Sequence, residues 1–116
     1  MASERRKYPR VPLKSRCWCE ADGITLYAKL INASEGGVFI STYAPLRKGS
    51  PAKVRFKLDD PRLEIAADAV VVWVREAAPE PMVSPGMGLQ FTAIDDQSVN
   101  ALRDFITREC DAEGHA

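Results

Sequence analysis

Between the turn signals Lys48-Gly49 and Asp59-Asp60-Pro61 the chain alternates without a break: Ala52, Val54, Phe56 and Leu58 are apolar, while Lys53, Arg55 and Lys57 are basic. Only an extended strand sends successive side chains to opposite sides, so this segment has to bury one face and leave the other wet and cationic. A single strand cannot hide a face; it needs neighbours that share the same inside. Arg16 to Glu20 is a second short run, followed by Asp22-Gly23, a dipeptide suited to a two-residue hairpin turn, and then by Ile24 to Ile31. In that third run Ile24, Leu26, Ala28 and Leu30 form the inward set. Val38 to Thr42 supplies another strand. Residues 63–76 form a longer one whose apolar phase slips, Leu63 and Ile65 being odd and Val70, Val72 and Val74 even, which calls for a bulge near Ala66-Ala67. After a proline-rich loop from Ala77 to Pro85, Met87, Leu89 and Phe91 alternate in a sixth strand.

From Asp95 the period changes. Val99, Leu102, Phe105 and Ile106 fall on one face of a helix, with Asp95 and Asp96 available to cap its start. The expectation is a mainly β fold: a small six-stranded antiparallel barrel closed by a C-terminal helix over about residues 95–109. Residues 1–15 read as a basic N-terminal arm, 16–109 as the barrel with its helix, and 110–116 as a tail. A chain of 116 residues can hold such a core without metal or disulfide staples.

The formal charge is zero, with 16 basic and 16 acidic residues, but it is unevenly spread. Arg5, Arg6, Lys7, Arg10, Lys14 and Arg16 put six positive charges into residues 5–16 with no acid among them, which leaves the rest of the chain at −6. An anionic partner would meet that end first. The longest apolar run, Ala69 to Val74, is too short to cross a bilayer, and the opening Met1-Ala2-Ser3-Glu4-Arg5-Arg6 holds no apolar secretory segment, so a cytoplasmic protein without membrane attachment is expected. Cys17 and Cys19 share one strand face opposite Trp18 and read as small buried residues; with His115 the only histidine, no metal site is expected.

Signatures of catalysis are absent: there is no Ser/His/Asp or Cys/His relay, no G-x-x-x-x-G-K-[ST] and no H-E-x-x-H, and the pairs Asp59-Asp60 and Asp95-Asp96 stand where turns and caps need them. A binding module without a cofactor is expected instead. Two segments carry the chemistry for it. Arg6-Lys7-Tyr8-Pro9-Arg10 sets two guanidinium groups four residues apart, each able to grip two phosphate oxygens or the O6/N7 edge of a guanine, although a solvated basic tail has the same composition. Asn32-Ala33-Ser34-Glu35-Gly36-Gly37 offers an amide, a hydroxyl and two glycines that permit positive φ and close backbone approach to a phosphate or base, although a turn alone accounts for it.

Together, R-x-x-x-R followed by [D/N]-x-S-x-x-G resembles the signature of the PilZ family, matched here by Arg6, Arg10, Asn32, Ser34 and Gly37. The order of basic arm, six strands and helix over about residues 4–109, and the stretch Gly86 to Phe91, are similar to that family as well. The resemblance implies a receptor for the bacterial second messenger cyclic di-GMP that signals to a protein partner. The expected ligand contacts are Arg5, Arg6 and Arg10 of the arm, Asn32, Ser34, Gly36 and Gly37 of the loop, and Trp73, which faces outward alongside Val71 and Arg75 and could stack on a base. Two alternatives stay open: a PilZ-like protein-interaction module that does not bind the nucleotide, and a small barrel that binds single-stranded nucleic acid through the arm, Lys53, Arg55, Lys57 and exposed aromatics, the latter disfavoured.

Overall fold

The computed structural model describes residues 10–59, 62–76 and 85–114. Six strands, β1 (Val11–Ala21), β2 (Ile24–Ala33), β3 (Gly37–Ser41), β4 (Pro51–Asp59), β5 (Arg62–Arg75) and β6 (Gly86–Ile94), are followed by one helix, α1 (Asp96–Gly114). All pairings are antiparallel, and the order β1-β2-β3-β6-β5-β4 closes on itself as a barrel. Strand β1 therefore starts within the segment read as an arm, and α1 runs into the stretch read as a tail.

The local signals act as their chemistry requires except at the start of β2, where Ile24, expected to point inward, is 63% exposed beside the turn. Ala21 pairs with Ile24 across Asp22-Gly23, whose φ values of 53° and 76° are the two positive angles that a tight two-residue hairpin needs. Along β4, Val54, Phe56 and Leu58 are fully buried, while Lys53, Arg55 and Lys57 stand in solvent. The core gathers the inward positions of every strand, among them Cys17, Leu30, Ile40, Ile65 and Leu89, and α1 lays Ala101, Leu102 and Ile106 against it. The helix is capped by Asp95, whose carboxylate accepts from the Ser98 backbone N–H at 2.6 Å. Among the described residues no helix is long and apolar enough to cross a membrane.

Strand β5 departs from the expected phase. Ile65, Ala67, Ala69 and Val71 all point inward, so the odd phase persists through the middle of the strand. The bulge in its pairing with β6 falls between Val71 and Trp73 instead of near Ala66-Ala67, with a second irregularity between Asp68 and Ala69. Alanines 66 and 67 simply continue the alternation, one exposed and one buried. Val71 is thus a core residue, while Val70 and Val72 are half-buried. Cys17 and Cys19 are buried as free thiols, and burial, reinforced by the neighbouring Cys19, pushes the Cys17 thiol up to about 12 despite a backbone hydrogen bond at Arg55.

Candidate functional site

The two sequence motifs meet on the outside of the barrel. Register sets Asn32 of β2 beside Phe39 of β3, Phe39 beside Gly88 of β6, and Gly88 beside Trp73 of β5, a single row crossing four strands. At its near end, Arg10 Nη1 donates to Asn32 Oδ1 at 2.9 Å, joining residues 22 positions apart in sequence. At its far end, Trp73 lies flat on Phe39, ring centroids 5.1 Å apart and planes 11° from parallel. The Arg75 guanidinium sits 4.8 Å from the Phe39 ring centre and 6.0 Å from that of Trp73. Phe39 is 4% exposed yet stands apart from the core cluster, because Trp73 and Arg75 cover it from outside.

Gly88 makes that plate possible. A Cβ there would sit 2.2 Å from Trp73 Nε1, so only the missing side chain lets the indole lie down across β6. Gly86 makes room both for the Ile40 carbonyl oxygen, which a Cβ would meet at 2.2 Å, and for the Phe39 ring, which it would strike at 2.6 Å. The resulting surface is a flat aromatic plate edged by guanidinium groups and an amide. Such a surface can take a planar purine on its face and an anion at its rim.

The loop motif is tighter than the sequence suggests. Strand β2 continues through Ala33 and β3 begins at Gly37, which leaves Ser34 to Gly36 as the whole turn. Ser34 is buried, not exposed: its Oγ accepts from the Gly36 N–H at 3.1 Å and donates to the Gly37 carbonyl at 3.4 Å, while its own N–H donates to that carbonyl at 2.8 Å. Neither glycine uses a positive φ; among the described residues those angles belong to Asp22, Gly23 and Gly49. Gly37 is needed for space, since a Cβ would meet the Leu89 carbonyl oxygen at 2.0 Å, and the Gly36 carbonyl accepts from Phe91 N–H at 2.8 Å. Glu35, between Ser34 and Gly36, pairs with Arg103 of α1 at 2.9 Å and ties the turn to the helix.

Of the residues singled out in the sequence, Arg10, Asn32 and Trp73 border one surface, and Ser34, Gly36 and Gly37 shape the turn behind it. Arg5 and Arg6 lie outside the described residues. Phe39, Gly88 and Arg75 were not singled out. Their signal was nevertheless present: Phe39 alternates with inward Val38 and Ile40 and so must face out, where a large apolar ring requires a cover.

The chain is similar to known proteins in its sequence family and in its fold. The family model of the PilZ domain matches residues 4–108. No curated protein matches the sequence. Among solved structures, the inhibitor of motility MotI/DgrA from Bacillus subtilis superimposes with a TM-score of 0.78 at 19% identity, over 90% of this chain and 50% of that one. The PilZ domain of YcgR from Escherichia coli with c-di-GMP gives 0.73 at 19% identity, over 94% of each chain. The MrkH–c-di-GMP complex of K. pneumonia gives 0.75 at 20% identity, over 97% of this chain and 56% of that one. The chain thus spans half the length of the MotI structure and nearly all of the YcgR domain.

Proposed function

The chain belongs to the PilZ domain family, and from that premise we propose that it is a cytoplasmic receptor for cyclic di-GMP that hands the signal to a partner protein by contact, without catalysis. The observation that carries this reading is the 2.9 Å hydrogen bond from Arg10 to Asn32, which joins the two motifs at the end of the Phe39–Trp73 row. Cyclic di-GMP is a dianion with two purine faces. Arg10, hydrogen-bonded to Asn32, addresses a phosphate or a guanine O6/N7 edge, with Arg5 and Arg6 as further contacts. Asn32 addresses guanine's edge, and Trp73 with Arg75 presents a stacking and cationic surface. Ser34, Gly36 and Gly37 act by holding the turn that fixes Asn32. The solved YcgR and MrkH structures similar to this chain contain c-di-GMP, which supports the choice of ligand.

Calorimetry with cyclic di-GMP, cyclic di-AMP, GTP and GMP tests the reading. Saturable binding is expected for the first alone. Arg10→Ala should weaken it at least about tenfold, since a charge-assisted hydrogen bond is worth about 1.5 to 3 kcal/mol. Arg10→Lys should not restore it, because the ammonium lacks the planar fork. Equal affinity for all four nucleotides, or full affinity in both variants, would remove the receptor from consideration.

A further inference from the structure

The outer face of β4, β1 and β2 carries a second arrangement that the nucleotide reading leaves unused. Register sets Arg55 beside Trp18 and Trp18 beside Tyr27 in one row, then Arg16 beside Lys29 and Lys29 beside Ser41 in the next. Trp18 and Tyr27 meet edge to face, centroids 6.1 Å apart and planes at 76°. An open groove of about 680 Å³ runs between Trp18, Tyr27 and Tyr43, flanked by Arg16 and Lys29. Tyr27 is 75% and Tyr43 87% exposed. Six cations are exposed on these three strands, Lys14, Arg16, Lys29, Lys53, Arg55 and Lys57, against Glu20 as the one exposed acid among their described side chains, although Lys53 and Lys57 stand opposite Asp68 and Glu64 of β5. Among the described residues none of the six forms an ion pair.

We propose that this face docks an acidic segment of a partner protein, one that carries a single aromatic or aliphatic anchor flanked by carboxylates. The anchor enters the aromatic groove, and the carboxylates on either side meet Arg16 and Lys29 at one rim and Arg55 at the other. Charge complementarity selects an acidic occupant. The ring geometry favours a polypeptide over a single-stranded nucleic acid: Trp18 and Tyr27 stand nearly perpendicular to one another, whereas a run of bases needs successive flat faces to stack on. Tryptophan, tyrosine and arginine around a central apolar recess are also the residues that dominate protein interfaces.

The position of this face suits an adaptor. Ser41 and Phe39 lie two residues apart on the outer side of β3, so the groove borders the Asn32–Phe39–Trp73 row. A nucleotide on one and a partner on the other would share that strand. The proposal itself needs none of the nucleotide-site residues and stands independently of the receptor reading.

The test is chemical-shift mapping on the ¹⁵N-labelled full chain with a synthetic peptide of about 11 residues, glutamates on both sides of one leucine. The expected result is saturable shifts confined to residues 16–18, 27–29 and 41–43 and to Arg55. Lys29→Glu should weaken binding about tenfold, Tyr43→Ala about threefold, and replacement of the peptide's leucine by glycine about fivefold. Tyr43 is exposed enough that its removal leaves the barrel intact. The proposal is overturned by absence of saturable binding, by shifts centred on Arg10 and Trp73, by indifference to the leucine, or by a twelve-base oligothymidylate binding more tightly than the peptide. A parallel titration with cyclic di-GMP reads Arg10, Asn32, Phe39 and Trp73, so the failure of one reading is visible apart from the failure of the other.

Discussion

Replacing Gly37 by alanine should unfold the seam between β3 and β6. The new Cβ would lie 2.0 Å from the Leu89 carbonyl oxygen, 3.1 Å from its carbon and 3.2 Å from Gln90 Cα. Carbon–oxygen contacts become comfortable near about 3.5 Å, so β3 has to move away by more than an ångström. All three obstructing atoms are backbone, and no side chain can swing aside to relieve them. The displacement falls where Phe91 N–H donates to Gly36 O at 2.8 Å and Ser34 N–H donates to Gly37 O at 2.8 Å. Losing two such bonds costs about 1 kcal/mol each, and overpacking strain adds about 1 to 3 kcal/mol. A total of about 3 to 5 kcal/mol lowers the melting temperature of a domain this size by about 10 to 30 °C. Gly49→Ala is the control: Gly49 has φ of +91° but open space around its Cβ position, so only the backbone penalty of about 1 to 2 kcal/mol applies. Thermal and urea unfolding of both variants check the ordering. A Gly37→Ala protein that melts within about 2 °C of the parent, or above Gly49→Ala, would refute the claim that this glycine serves close strand approach.

Ser34→Ala should cost about 1 to 3 kcal/mol in urea unfolding, because it strips the Gly36 N–H of its partner inside a closed turn; unchanged stability would sink that assignment. Gly88→Ala should lift Trp73 off Phe39, red-shifting its emission in a Trp18→Phe background and weakening cyclic di-GMP binding, with only about 0.5 to 1.5 kcal/mol of stacking lost from the fold. Asn32→Ala should lower cyclic di-GMP affinity about tenfold in calorimetry while leaving the melting temperature close to the parent's, since its side chain bonds Arg10 and not the core. Cys17 should react with a disulfide reagent only on the timescale of unfolding. Its folded thiol titrates near 12 against 9.0 for an ordinary one, so the unfolded state gives up the proton first and stability should fall as pH rises above about 9.

What the sequence determined by itself is whatever depends on neighbours within a few positions. The alternation of residues 52–58 requires a strand with its cations outside, Asp22-Gly23 requires a hairpin, and the change of period after Asp95 requires a capped helix; each follows from backbone geometry and solvent alone. The spacing of Arg6, Arg10, Asn32, Ser34 and Gly37 announced the family by a different route, as a resemblance of pattern and not as a consequence of local geometry. The phase of β5 could not be read so locally. Alternating valines and alanines on both sides of the slip satisfy either register, and only the pairing of Val71 and Trp73 with β6 decides where the extra residue goes. Gly37 shows the same limit, because freedom of φ and lack of bulk look identical in a sequence, and only the Leu89 carbonyl across the seam tells them apart. The row of Asn32, Phe39, Gly88 and Trp73 draws one residue from each of four strands. Barrel closure in the order β1-β2-β3-β6-β5-β4 aligns them, since it pairs β3 with β6 across more than forty intervening residues, and no local periodicity encodes which strand lies beside which.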